Sequence, residues 1–192
     1  MEGESPSDAD LLRAYVDGDG DAFAVLYDRY DSQCYGYIRR TLGSAHADAA
    51  EDLHQETWVA VATKGHTYDA QGASFVTWMY TIARHKVLDH FRKQKVAFLV
   101  THDDDAVNAQ MDGAPTPAEA VQSRELALAL VSAVDSLPLA QRETFVLFAG
   151  GELTLGEIAA ATQVGIETTK SRLRYARAAL RSLLSHWRGG DA

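Results

Sequence analysis

Apolar residues recur every three or four positions along most of this chain, the spacing that gathers them on one face of an α-helix. The pattern runs through roughly 20–42, with Phe23, Leu26, Tyr27, Tyr30 and Tyr37, through 46–63, with Leu53, Val59 and Ala60, and through 74–95. It breaks at 101–117, THDDDAVNAQMDGAPTP, where an acid cluster, a glycine and two prolines take over. It resumes near 118–135, 139–149, 155–162 and 166–186, and no segment competes as a strand. The expectation is an all-α protein of two helical domains, 1–97 and 118–192, joined by an acidic flexible linker over 98–117.

Start signals support the second half of this layout. Thr116, Pro117 and Glu119 suit the cap, the first turn and the third helical position, and Thr154 with Glu157 repeats the capping-box spacing. The segment 154–184, TLGEIAAATQVGIETTKSRLRYARAALRSLL, then reads as a short capped helix, a turn at Gln163, Val164 and Gly165, and a long basic helix. That is the layout of a helix-turn-helix. At about 100° per residue, Ile166, Thr169, Leu173, Ala176, Leu180, Leu183 and Trp187 fall on one face and are expected in the core. Lys170, Arg174, Arg177 and Arg181 line one flank and Arg172 the other, while Thr168, Ser171 and Tyr175 point farthest from the core. Cations bordering short polar side chains suit a helix in a DNA groove, with Lys and Arg on the phosphates and the polar tip near base edges. A basic helix alone is more often a solvated face; the capped turn in front of this one favours DNA.

Charge makes this picture sharper. The chain of 192 residues is 46% hydrophobic, enough for a proper core, and carries a formal net charge of −9. That total is unevenly spread: residues 1–56 hold 13 Asp and Glu against 4 Lys and Arg, whereas 57–102 hold 2 against 6. Residues 103–119 hold 5 acids and no base, and 120–192 hold 7 acids against 8 bases. Screening limits each charge to about 10 Å, so two basic faces can act locally within an acidic protein. The first lies in KGHTYDAQGASFVTWMYTIARHKVLDHFRKQK, 64–95, where a glycine-bearing loop precedes a helix that sets Phe75, Trp78 and Tyr80 among Arg84, Lys86, Arg92, Lys93 and Lys95. Rings among cations suit unstacked nucleic acid. Phe75 shares a face with Met79, Ile82 and Ala83, however, and is expected in the core rather than as a base platform.

Other chemistry is weakly represented. A single cysteine, Cys34, excludes an internal disulfide, and the seven histidines are scattered without a C-x-x-C or H-x-x-x-H partner for zinc. No phosphate loop, nucleophile elbow or paired catalytic carboxylates occur, so neither an enzyme, a cofactor nor a metal is expected. The N-terminal MEGESPSDAD lacks a basic start and an apolar stretch, and no run of eighteen apolar residues exists. No membrane insertion is expected, and a cytoplasmic location follows.

Four stretches together, EDLHQETW (51–58), SFVTWMYTIARHKVLDHFRKQ (74–94), SLPLAQRETFVL (136–147) and the helix-turn-helix over 153–184, closely resemble the extracytoplasmic-function group of bacterial sigma factors, within the sigma-seventy family. The resemblance covers about 8–186 in matching order and spacing. It implies an initiation factor that binds core RNA polymerase and promoter DNA, with an anti-sigma protein as a further partner. By position, it places Asp52, Gln55 and Glu56 on the polymerase clamp; from their residue types alone they would read as solvated surface. It gives the loop bearing Lys64, His66, Tyr68 and Asp69 an extruded base of the −10 element, and lays Trp78, Arg84, Lys86 and Arg92 along the adjoining DNA. It sets Thr168, Lys170, Ser171, Arg172, Arg174, Tyr175 and Arg177 on −35 duplex. His85, Gln163, Glu167 and Tyr175 depart from the usual pattern, which leaves the promoter sequence open. Gln163 stands where a positive φ is expected, at a cost of order 1 kcal/mol relative to glycine. The linker is expected to hold the two domains apart until polymerase fixes their spacing. The competing reading is a dimeric helix-turn-helix regulator with an N-terminal sensing domain, which would have no use for single-stranded −10 DNA.

Overall fold

The computed structural model describes residues 6–100, 118–150 and 153–185, with the side chains of 96–100 and 118–123 left aside. Among these residues the chain forms α-helices and short 3-10 turns and no strand. The helices are α1 (Asp8–Val16), α2 (Gly20–Leu42), α3 (Ala50–Lys64), α4 (Phe75–Val100), α5 (Ala118–Asp135), α6 (Leu139–Gly150), α7 (Leu155–Thr162) and α8 (Ile166–Leu183).

Helix α1 escaped the periodicity because its nine residues give the pattern too few turns to repeat. Local chemistry makes it nonetheless. The Ser7 hydroxyl accepts from the Asp10 amide, Leu11 and Leu12 are buried, and Asp8 ties the helix to α2 through Arg29 at 2.7 Å and the Tyr30 hydroxyl at 2.5 Å. Asp19 caps α2 by accepting from the amides of Asp21 and Ala22. Helices α1 to α4 then pack around Leu12, Leu26, Ile38, Phe75, Met79 and Val87, each nearly water-free. Side chains of this size contribute roughly 1.5–3 kcal/mol apiece on full burial.

In the second half, α6, α7 and α8 pack on one another and α5 rests on α8 through Ala133, Leu137, Ala176 and Leu180. The halves do not stand apart as expected. Helix α7 packs on α4 and α6 on α2, and Val146, Leu147, Leu153, Ile158 and Ala161 join the same apolar cluster as the N-terminal core. Those residues gain more from shared burial than from water, and polar ties reinforce them: Arg142 donates to the carbonyls of Thr41 and Leu42, and the Ser44 amide to Asp135.

Several boundaries shift. Helix α4 runs on to Val100, into the first positions assigned to the linker, while 101–117 and the Thr116 cap lie outside the described residues. Helix α8 ends at Leu183, three residues early. Ile166 and Leu183 are exposed, at 44% and 47%, because at the two ends of α8 no neighbouring helix covers the apolar phase. Trp187 lies outside the described residues.

Candidate nucleic-acid interface

The helix-turn-helix forms as its sequence dictates. The Thr154 hydroxyl accepts from the Glu157 amide at 3.3 Å, and Glu157 accepts from the Thr154 amide at 2.9 Å, so two otherwise orphaned donors at the start of α7 are satisfied. The backbone bond at Thr154, above all, holds the Glu157 carboxyl below its ordinary range. Gln163 closes α7 in the left-handed region, φ 56 and ψ 42, and the amides of Gln163 and Val164 bond back to Ala160 and Ala159. That turn launches α8, whose Thr169, Leu173, Ala176 and Leu180 are buried while Thr168, Lys170, Arg174, Tyr175 and Arg177 face outward. Their cations have local partners: Lys170 pairs with Glu167 at 2.8 Å, Arg174 lies 5.1 Å from the Tyr175 ring, and Arg177 lies 4.4 Å from the Phe148 ring. Ser171 is half-buried. Arg172 turns inward, and its Nη1 is buried without a hydrogen-bond partner.

The loop before α4 is built rather than slack. Asp69 makes its turn, accepting from the Gln71 amide on Oδ1 at 3.0 Å and from the Gly72 amide on its carbonyl at 3.1 Å. The Tyr68 hydroxyl donates to the Ala73 carbonyl at 3.0 Å, and its ring packs 5.4 Å from Trp78 and 6.3 Å from Phe75. Burial raises the Tyr68 phenol above its ordinary pKa. Lys64 and His66 stay exposed, and a cavity opens between the loop and α1, lined by Leu12, Val16, Gly65, His66, Tyr68 and Gln71. Phe75 is 1% exposed, a core residue as expected, and Tyr80 is also buried.

Along α4 the expected DNA-facing residues divide. Trp78, Lys86 and Arg92 lie within a broad face, but Arg84 stands about 160° from Lys86 around the helix. Arg84 instead reaches the second half of the protein, its Nε 2.7 Å from Glu143 Oε1. Lys86 pairs with Glu56 at 2.9 Å and Arg92 with Asp89 at 2.6 Å. Glu56, Asp52 and Gln55 are exposed on α3, with Asp52 and Glu56 lining one groove beside Lys86 and Lys93.

Glu143 is the residue the sequence reading missed. It is 3% exposed and lies between Arg84 of α4 and the Tyr37 hydroxyl of α2, which donates to it at 3.2 Å. Burial pushes its carboxyl above the ordinary range, opposed chiefly by the Arg84 charge and also by that of Arg172. Burial likewise pushes the Tyr37 phenol well up. The signal was present in ETFVL, an acid on the same helical face as Val146 and Leu147. Among the described residues no group of three His, Cys, Asp or Glu is placed to hold a metal ion, and no helix is long and apolar enough to cross a membrane.

Comparison with known proteins finds relatives over both halves of the chain. The family model for sigma-70 region 2 matches residues 26–96, which span α3, the loop and α4, and that for sigma-70 region 4 matches 133–182, which span α6 to α8. The chain is 32% identical over 176 residues to the ECF RNA polymerase sigma factor RpoE of Cereibacter sphaeroides, covering 91% of this chain and 93% of that one. It is also 32% identical over 177 residues to the ECF RNA polymerase sigma factor SigW of Bacillus subtilis, covering 87% and 91%. Among solved structures, the sigma factor RpoE in complex with the anti-sigma factor NepR from Bartonella quintana matches with a TM-score of 0.70 at 23% identity, over 85% of this chain and 96% of that one. The fold is shared.

Proposed function

Because the chain belongs to the ECF sigma factors of the sigma-70 family, which direct RNA polymerase to promoters, we propose that its two basic surfaces divide promoter reading between them. One observation supports this above all. Two differently built surfaces occur on one chain: an outward polar and basic helix behind a capped turn, and a braced loop with clustered, tilted rings beside a cavity.

Thr168, Lys170, Arg174, Tyr175 and Arg177 read −35 duplex, the cations on phosphates and the polar tip toward base edges. Lys64 and His66 meet the −10 strand, while Tyr68 and Asp69 hold the loop in shape and the half-buried Trp78 ring lies beside it, against an unstacked base. Lys86 and Arg92 follow the backbone once DNA displaces Glu56 and Asp89. Asp52, Gln55 and Glu56 form the acidic surface that docks on core polymerase, where complementary charge steers the encounter. The functional units are 1–97 and 118–192, tethered by 98–117, so that polymerase converts two weak sites into one strong one. The protein works in the cytoplasm, catalyses no reaction itself, and is held by an anti-sigma protein, the kind of partner found on its structural neighbour.

Run-off transcription tests the proposal. Core polymerase supplemented with the full-length protein is expected to initiate at promoters selected from a random library, and Asp52→Arg with Gln55→Ala is expected to abolish both core binding and transcript. Transcription that survives that double substitution would remove the clamp assignment.

A further inference from the structure

We propose that His46 and His90 form a two-histidine site for a zinc ion, exchangeable and open to water, which braces the connection between α2 and α3 against the later turns of α4. The two residues are 44 positions apart, and the fold brings His90 Nε2 to 3.4 Å from His46 Nδ1. That distance is longer than the roughly 2.7–3.2 Å of an ordinary N–H hydrogen bond. It matches two ligands on one metal. Imidazoles sharing a tetrahedral zinc, with Zn–N of about 2.0–2.1 Å, hold their ligating nitrogens about 3.3–3.4 Å and their ring centres about 5.2 Å apart. The ring centres of His46 and His90 are 5.2 Å apart. Nitrogens facing each other squarely across the same gap, as a straight hydrogen bond requires, would set the centres about 5.7 Å apart. The shorter value suits lone pairs that converge beside the line joining them.

The surroundings hold both rings and favour a cation. Phe91 packs edge-on against His46 with ring centres 5.1 Å apart and lies 5.8 Å from His90, and both histidines are half-buried. Burial, then the neighbouring His46, lowers the His90 pKa, which favours the neutral imidazole that metals take. Coordination needs His90 protonated on Nδ1 and His46 on Nε2, so that the two facing nitrogens keep their lone pairs. The Asp48 charge bears on His90 and attracts a cation there, whereas Lys93 opposes it. Among the described residues no third His, Cys, Asp or Glu is placed with the pair, so water completes the coordination. Such a site binds less tightly than a closed four-ligand zinc and exchanges its ion. His46 sits in the 3-10 segment Ser44–Ala49 that leads into α3, and His90 on α4 beside Arg92. An ion held by both elements prefers the folded chain and stabilises it by mass action.

Equilibrium dialysis of the full-length, tag-free protein against zinc sulfate tests this, with circular dichroism as the check on folding. About one zinc per chain is expected, with affinity reduced at least tenfold by His46→Ala and by His90→Gln and kept by His85→Ala, an exposed histidine on the same helix. Zinc at about ten times its Kd should lower the unfolding constant of the wild type about tenfold in urea titrations and leave that of folded His90→Gln unchanged. Nitrogen-15 NMR of the imidazole rings carries the test on the wild type alone, should the variants fail to fold. Of the seven histidines, zinc should move His90 Nε2 and His46 Nδ1 and leave the other five rings in place. A wild type that binds no zinc, a folded His46→Ala or His90→Gln that keeps the wild-type affinity, or zinc-induced shifts confined to other histidines would overturn the site.

Discussion

Replacing Gly43 with alanine should uncouple the two halves at a point remote from any DNA contact, and the structure sets the size of the effect. Gly43 follows α2 at φ 76 and ψ 176, a region open essentially to glycine, where another residue costs about 1–3 kcal/mol. Its added Cβ would also fall 2.6 Å from Arg142 Nη1 and 3.0 Å from Asp135 Oδ1. Arg142 must then move, although it donates from Nη1 to Thr41 and Leu42 at 3.2 Å each and from Nη2 to the carbonyls of Leu137 and Asp135. Losing the two Nη1 bonds adds about 3 kcal/mol, taking the low end for each charged donor because this guanidinium is only half-buried. Gly43→Ala should therefore destabilise by about 4–6 kcal/mol. With Arg142→Ala already present only the backbone strain and the Asp135 contact remain, so a double-mutant cycle should show a coupling of about 3 kcal/mol. Urea denaturation of the full-length protein, followed by circular dichroism, measures all four corners. Costs that add within about 0.5 kcal/mol would refute the claim that Gly43 is required to seat Arg142.

Thr154→Ala should cost about 1 kcal/mol by removing the cap of α7. It should flatten the acid limb of the stability profile only in part: the lowered Glu157 carboxyl stabilises the fold above its ordinary pKa and loses that contribution as pH falls through the folded value, but the residue-154 amide that lowers it most is retained in alanine, so the urea midpoints of wild type and variant should draw only slightly closer at low pH. Lys170→Ala and Arg174→Ala should each weaken −35 duplex binding and lower the salt slope by about one unit, read by anisotropy across a salt series; an unchanged slope would mean that neither neutralises a phosphate. Tyr175→Ala should instead change which sequences a duplex selection returns.

The helix-turn-helix was legible because its signals are local. Thr154 and Glu157 are three residues apart, and Gln163 had to take a positive φ for the turn to close, as it does at φ 56. Phe75 was legible as core because Met79, Ile82 and Ala83 repeat its phase, and all four are buried. What escaped was set by contacts distant in sequence. Arg84 looked like another cation on a basic helix, yet its partner lies 59 positions away on α6, and no spacing rule connects them. Glu143 and Arg142 sit in a motif recognised for its apolar positions, so their polar roles emerged only when α6 met α2. Ile166 and Leu183 were placed in the core by phase alone, which counts turns and is blind to where neighbouring helices end. The family resemblance sets Tyr68 and Asp69 on DNA, whereas the structure also uses them to build the loop.

That last distinction gives the most direct test of strand capture. Lys64 and His66 are exposed and their side chains do not brace the loop, so Lys64→Ala with His66→Ala should leave it folded. Holoenzyme carrying this pair is to be compared with wild type on one promoter, with mobility shift reporting duplex binding and permanganate reactivity of thymines near the start site reporting opening. Capture of an extruded base must offset a few kcal/mol of unpairing and unstacking, so the account predicts normal initial binding with opening reduced at least tenfold. Equal loss of binding and opening, or no loss of either, would contradict it.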